Sequence, residues 1–282
     1  MPRPNLFIIG AQKCGTSSLQ SYLDLHPEIA MTLTGQGELP FFSLDKHWRK
    51  GLDWYQTQFR DAPVRGEKSV SYTYWPFHPF VPERITDFAP DARFIYLVRD
   101  PIDRAVAGWL YHQRHGGEQR SLDEAFTYLD DNVHVAISRY ATQLERYLAL
   151  FPPERFLVLD QHDLQHDRLA TLQEAFRFLG VDDTFTDPRF TRQIQVASQG
   201  RWLSPTGMRI AKRIECTIGK KAMHRLYAVA SLIPKGVPML ERPPVERPEL
   251  SDELRERLAA ILAPEAARLR ELTGKPFPSW SV

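Results

Sequence analysis

Leu6-Phe7-Ile8-Ile9-Gly10-Ala11-Gln12-Lys13-Cys14-Gly15-Thr16-Ser17-Ser18 decides the fold. Its opening apolar run is too short for a helix and reads as a strand buried on both faces, the mark of a parallel sheet. From Thr16 to Leu25 the pattern turns helical, and it stops near His26-Pro27 because proline disfavours the helical conformation in the residue before it. The glycine-bearing loop between them therefore runs from the end of a strand into the start of a helix. That order makes an anion site: the first helical N–H groups point outward, glycines let the backbone come close, and the hydroxyls of Thr16, Ser17 and Ser18 add donors.

Outward from this stretch the same alternation repeats. Ile29 to Thr32, Val64 to Lys68, Arg93 to Val98 and Arg155 to Leu159 read as further strands. Helical patterns follow Pro101 and cover Ile137 to Phe151, with Tyr140, Leu144, Tyr147 and Leu148 on one stripe, and Leu169 to Leu179. Repeated βα units predict an α/β fold, a central parallel sheet of about five strands flanked by helices, with ligands gathered at the carboxyl ends of the strands. We expect one domain over residues 1–282, with an α/β nucleotide-binding core over 5–186. The strand signal ends near Asp187, so residues 187–282 are expected to form a mainly helical lid and acceptor region. Within it, Met208 to Leu232 is helical in composition and basic, Pro234 to Pro248 is a proline-rich connector, and Ser251 caps a last helix whose first turn carries Asp252 and Glu253.

Composition narrows the class. With 282 residues, 43% hydrophobic and 25% charged, the chain is that of a globular protein large enough to need no disulfide or metal staple. Lys and Arg number 36 against 35 Asp and Glu, so the net charge of +1 offers no global attraction to nucleic acid and an anion must be gripped locally. Two cysteines, Cys14 and Cys216, are too few for a zinc site, and no histidine spacing suits a metal. A reducing, cytoplasmic setting is expected, with no membrane span and no room for a leader before the first strand.

The loop departs from a triphosphate-binding one. That motif places lysine after the second glycine, whereas here Lys13 precedes Gly15. A magnesium-binding aspartate is also expected at the end of a neighbouring strand, yet Phe94 to Val98 runs into Arg99. A cation stands where a metal ligand would be useful, so the site reads as one that handles phosphate and sulfate with side chains, without metal.

On these residues the chain resembles the sulfotransferases that use 3′-phosphoadenosine 5′-phosphosulfate (PAPS). The loop from Gly10 to Ser18 is similar to their 5′-phosphosulfate loop, and Phe94 to Arg104 is similar to their 3′-phosphate strand and helix. Glu38-Leu39-Pro40-Phe41-Phe42, Gly66-Glu67-Lys68-Ser69 and Tyr140 to Phe151 resemble the branch that includes glycosaminoglycan and many bacterial sulfotransferases. The match runs in consistent order over roughly residues 5–180. Two positions depart from it. Ala107 stands where the family usually has a serine on the 3′-phosphate, and Gly37 and Pro40 flank the segment where the branch acting on glycosaminoglycans often has lysine and histidine, which weighs against a polyanionic sugar as acceptor.

The resemblance implies transfer of a sulfuryl group from PAPS to a hydroxylated acceptor (a small molecule, lipid or carbohydrate), leaving PAP. Glu38 is then the general base, Lys13 stabilises the leaving phosphate, and Lys68 bridges the sulfuryl oxygens and Glu38. Gln12, Lys13, Cys14, Gly15, Thr16, Ser17 and Ser18 bind the cofactor at its 5′ end; Arg99 and the helix position of Ala107 face its 3′-phosphate; Ser198, Gly200 and Arg201 come over the nucleotide. Cys14 reads as a small residue filling the loop, and Arg104 as either a phosphate ligand or a helix-face charge. The basic segment 209–232 is open to three readings: a solvated face, a lid, or a peripheral contact with anionic lipid. A P-loop kinase-like phosphotransferase and a non-catalytic PAP-binding module stand as the alternatives.

Overall fold

The computed structural model describes residues 3–32, 37–115, 117–192 and 247–282. Five parallel strands, β1 (Leu6–Gly10), β2 (Ile29–Met31), β3 (Val64–Lys68), β4 (Arg93–Val98) and β5 (Phe156–Asp160), form one sheet in the order β2-β3-β1-β4-β5. β1 is apolar throughout and buried throughout, so it takes the centre, where neither face meets water. Its neighbours lie on opposite sides, β3 paired through Leu6–Gly66 and β4 through Leu6–Arg93. The chain thus reverses its winding between β1 and β4, and the carboxyl ends of these two strands border the crevice in which such sheets bind ligands.

Helices α1 (Thr16–Leu23), α2 (Asp45–Trp48), α3 (Gly51–Gln56), α4 (Val81–Phe88), α5 (Pro101–Arg114), α6 (Leu122–Ala125), α7 (Val133–Ser138), α8 (Tyr140–Leu148), α9 (Gln161–His166), α10 (Arg168–Leu179) and α11 (Asp252–Thr273) cover the sheet or join its strands. On one face Phe7, Phe42, Phe88, Phe94, Tyr147 and Phe151 make an aromatic core; Phe7 and Phe94 stack 5.8 Å apart across neighbouring strands. The single helix expected from Ile137 to Phe151 is two, because Arg139 leaves helical geometry at φ −78°, ψ 70° and separates α7 from α8. Ser251 caps α11 as expected, its hydroxyl accepting from the Leu254 N–H at 3.2 Å. α11 packs on α7 and α8, with Glu265 accepting from the N–H and hydroxyl of Thr142.

By contact density the chain divides into two compact units. Residues 1–109, 121–195 and 250–282 form one, which holds the whole sheet, and 110–120 with 196–249 form the other. The expected cofactor contacts Ser198, Gly200 and Arg201, and the basic segment 209–232, lie outside the described residues.

Candidate active site

The loop after β1 is shaped by its glycines. At Gly10 a side chain has no room: a Cβ there would lie 2.3 Å from the Thr73 hydroxyl oxygen, which itself donates to the carbonyl of Ile9 at 3.1 Å. Gly15 stands before α1 at φ 93°, a left-handed conformation that favours glycine, and so turns the chain into the helix. Lys13 takes φ 68°, the same left-handed region without glycine's freedom. α1 has neither a side-chain cap nor an acidic residue in its first turn. Its positive end is thus not offset by a side chain of its own first turn, which suits it to an anion.

Cys14 turns inward. It is fully buried, its sulfur 3.7 Å from the Tyr140 hydroxyl, and its N–H donates to Ala11 O at 3.2 Å. Burial pushes the thiol up to about 11, which disfavours a nucleophilic thiolate at neutral pH, and the side chain fills the inside of the loop. The Gln12 side chain is also buried, and its carbonyl oxygen has no hydrogen-bond partner among the described residues.

Three predicted residues meet at one point. Lys68, at the carboxyl end of β3, extends its ammonium to the Ser17 hydroxyl at 2.8 Å and to the Glu38 carboxylate at 3.8 Å. The phosphate loop's helix, the loop after β2 and the end of β3 are thereby tied together by one side chain that is almost fully buried. Burial raises the pKa of Glu38, against the pull of Lys68 and the Val70 N–H, and burial lowers that of Lys68, against the pull of Glu38. Each shift moves its group towards neutrality, where proton exchange near pH 7 is easier.

Arg99 follows β4 at the other side of the crevice, and its guanidinium lies 3.1 Å from Asp103. Arg99, Asp103 and Ala107 succeed one another at four-residue steps and so share one face at the start of α5, the half-buried Ala107 offering a methyl where a hydroxyl would reach further. Arg104 points the other way. It is completely buried, with Nε donating to Ser138 Oγ at 2.6 Å and one Nη to the carbonyl of His134, and it braces α5 against α7. Of its two readings in sequence, the helix-face charge is excluded and a structural strut replaces it.

One feature had no sequence signal beyond its motif. Glu67 lies fully buried on the face of β3 opposite Lys68, accepting from the Tyr72 hydroxyl at 2.5 Å. Tyr72 in turn lies 3.2 Å from Leu39 O and accepts from the Phe42 N–H at 3.3 Å, holding both ends of the segment that follows Glu38. Burial raises the Glu67 carboxyl to about 8 even though the Tyr72 hydroxyl donates to it, which favours the protonated form at neutral pH. Alternation along β3 could have placed it opposite Lys68, but nothing in sequence names its partners. Among the described residues no group of histidine, cysteine and carboxylate side chains could hold a metal, and no helix is long and apolar enough to cross a membrane.

The structure thus sets the glycine-bearing loop at a helix start, the buried Lys68 beside Glu38, and Arg99 after β4. A family model described as the sulfotransferase domain matches residues 3–200. The chain belongs to the sulfotransferase family. It is 32% identical over 203 residues to human bifunctional heparan sulfate N-deacetylase/N-sulfotransferase 3, covering 63% of this chain and 22% of that protein. To mouse heparan sulfate glucosamine 3-O-sulfotransferase 5 it is 30% identical over 193 residues, covering 63% of this chain and 54% of that one. The chain thus spans about a fifth to a half of the length of these curated relatives. The crystal structure of a sulfotransferase from Alicyclobacillus acidocaldarius superposes with a TM-score of 0.69 at 25% identity, over 99% of both chains. Sulfotransferases of this family draw their sulfuryl group from PAPS, and the uncapped start of α1 together with the cations Lys13, Lys68 and Arg99 suits a ligand that carries phosphate groups.

Proposed function

We propose that this protein transfers a sulfuryl group from PAPS to a hydroxyl of its acceptor. The observation that carries this reading is the Ser17–Lys68–Glu38 cluster, which sets a carboxylate beside the phosphate loop. PAPS, when bound, supplies the sulfuryl group and a phosphate leaving group. Glu38 takes the proton of the acceptor hydroxyl as its oxygen forms the new S–O bond. Lys13 meets the charge that builds on the phosphate oxygen as the old S–O bond breaks with its electron pair. Lys68 contributes charge on the sulfuryl side and holds Glu38 in place, while Arg99 takes the 3′-phosphate through its guanidinium fork. Positioning and charge stabilisation carry the step, as in phosphoryl transfer, and no metal enters it.

Acceptors of the curated relatives are heparan sulfate chains by name, and a carbohydrate hydroxyl is one class open to this protein. The test is Glu38→Gln, which keeps shape and removes the proton acceptor. Single-turnover transfer from labelled PAPS, to whichever acceptor of a phenol, sugar and lipid panel the parent sulfates fastest, is expected to slow by roughly 10² to 10⁴. PAP affinity by calorimetry should stay within about twofold. A variant turning over within about threefold of the parent, a barrier change of ~0.7 kcal/mol, removes Glu38 as the base.

A further inference from the structure

A second concave space, about 360 Å³, opens between the loop after β2 and the loop that leads from β3 into α4. Both loops leave the carboxyl edge of the sheet, the edge that carries Glu38 and Lys68. The volume lies at the small end of the range of small-molecule sites. Phe77 and Phe80 stand on its rim, 48% and 63% exposed, although a large ring is stabilised by leaving water. Leu44, Pro79 and Val81 add apolar wall.

Arg84 and Ser43 in this wall already have partners. Arg84, its cation, donates to Phe42 O at 2.7 Å, lies 3.7 Å from the Asp45 carboxylate and sets its guanidinium 4.8 Å from the Trp48 ring centre. Ser43 Oγ is 2.6 Å from Ser71 Oγ, which is 2.9 Å from Ser69 Oγ. Burial lowers the pKa of His78, so it adds no charge at neutral pH. A polyanion finds no uncommitted cation in this lining and meets the exposed Asp45 carboxylate. A flat apolar ring finds two phenylalanine faces.

The pocket is linked to the proposed chemistry along the chain and through hydroxyl contacts. Ser43 lines it five residues after Glu38, and the Ser43–Ser71–Ser69 chain ends at the residue next to Lys68. We propose that this pocket seats the non-reacting part of the acceptor and that this part is an uncharged aromatic ring. The proposal rests on the sulfuryl-transfer reading above for its link to catalysis, while the pocket's ligand preference can be measured without any turnover.

The experiment titrates the PAP-loaded full chain with 2-naphthol, cellobiose and a heparosan hexasaccharide, by saturation-transfer NMR and calorimetry. Binding of 2-naphthol is expected to exceed that of both saccharides and to weaken at least about tenfold in Phe77→Ala/Phe80→Ala. Phe77→Tyr/Phe80→Trp, which keeps both rings, should hold it within about threefold. Both positions are exposed, so neither pair of substitutions should move the melting temperature. Tighter binding of either saccharide, no 2-naphthol binding by the parent, or an unchanged affinity in the alanine variant overturns the proposal. PAP titration of the same samples keeps the two readings apart: if 2-naphthol binding depends on the phenylalanines but PAP does not bind, the pocket stands and sulfuryl transfer falls.

Discussion

Glu38 and Glu67 are both carboxyls raised by burial, and their surroundings give them different work. Glu38 retains contact with solvent and a cation beside it, so it can exchange a proton with an acceptor. Glu67 is sealed, neutral and bonded to Tyr72, and its effect on chemistry is confined to holding the segment on which Glu38 sits. The proton on Glu67 has a consequence for stability. The folded protein holds it up to a pKa of about 8, whereas the unfolded chain releases it near the ordinary 4.5. Between those values the native state binds more protons, so this carboxyl makes stability fall as pH rises, by at most about 1.4 kcal/mol per pH unit, and its contribution levels off above pH 8. Glu67→Gln keeps an acceptor for Tyr72 and cannot ionise. Urea titrations at pH 5, 6, 7 and 8 should therefore show a flatter decline in the variant; parallel curves would mean that Glu67 is not the titrating group.

At the scale of elements, legibility in sequence followed burial pattern. β1, β3 and β4 could be read because their residues are apolar or packed on both faces, and the phosphate loop because glycine and hydroxyl spacing has a direct backbone meaning. The α7–α8 break was not legible: Tyr140, Leu144 and Tyr147 keep helical spacing, and the interruption at Arg139 follows directly on Ser138, which Arg104 engages from α5. Arg104 was illegible for the same reason, since an arginine amid Ile102, Ala105 and Val106 has no sequence mark that says which side it faces. Its place implies a cost that can be measured. Ser138 Oγ accepts from Arg104 Nε and donates to Pro101 O at 2.8 Å, so Ser138→Ala leaves a buried guanidinium N–H and a carbonyl each short of a partner. Loss of a bond to a buried charge costs about 1.5 to 3 kcal/mol, and denaturant unfolding of Ser138→Ala should show a loss of that size. A change within about 0.5 kcal/mol, the range of ordinary surface substitutions, would show that α5 and α7 are held by packing alone.

Across the whole sheet-bearing unit, the segment after α11 returns to the edge where the phosphate loop begins. Asp160, at the end of β5, caps α9 through the His162 N–H and accepts from the Trp280 indole at 3.0 Å and the Ser279 hydroxyl at 3.1 Å. Asp100, beside Arg99, accepts the N–H and hydroxyl of Ser281. Trp280 stacks on Phe277 at 4.4 Å and lies 5.7 Å from Tyr140, whose hydroxyl touches Cys14 in the phosphate loop. A segment distant in sequence thus supports both sides of the crevice, through Tyr140 to the loop after β1 and through Asp100 to the turn after β4. Trp280→Ala removes a buried ring and is expected to cost about 3 to 5 kcal/mol in unfolding free energy. Because Tyr140 and Cys14 lose backing, PAP affinity should fall as well, in samples that are still folded at low temperature. Trp280→Phe keeps a ring against Phe277 and Tyr140 and gives up only the indole N–H, so it should cost about 1 kcal/mol and leave PAP affinity near that of the parent. Calorimetry at two salt concentrations separates this from a change in surface charge, since a packing effect on the loop persists when exposed charges are screened. If Trp280→Ala bound PAP as the parent does while losing stability, the segment would be a structural clasp with no hold on the phosphate loop.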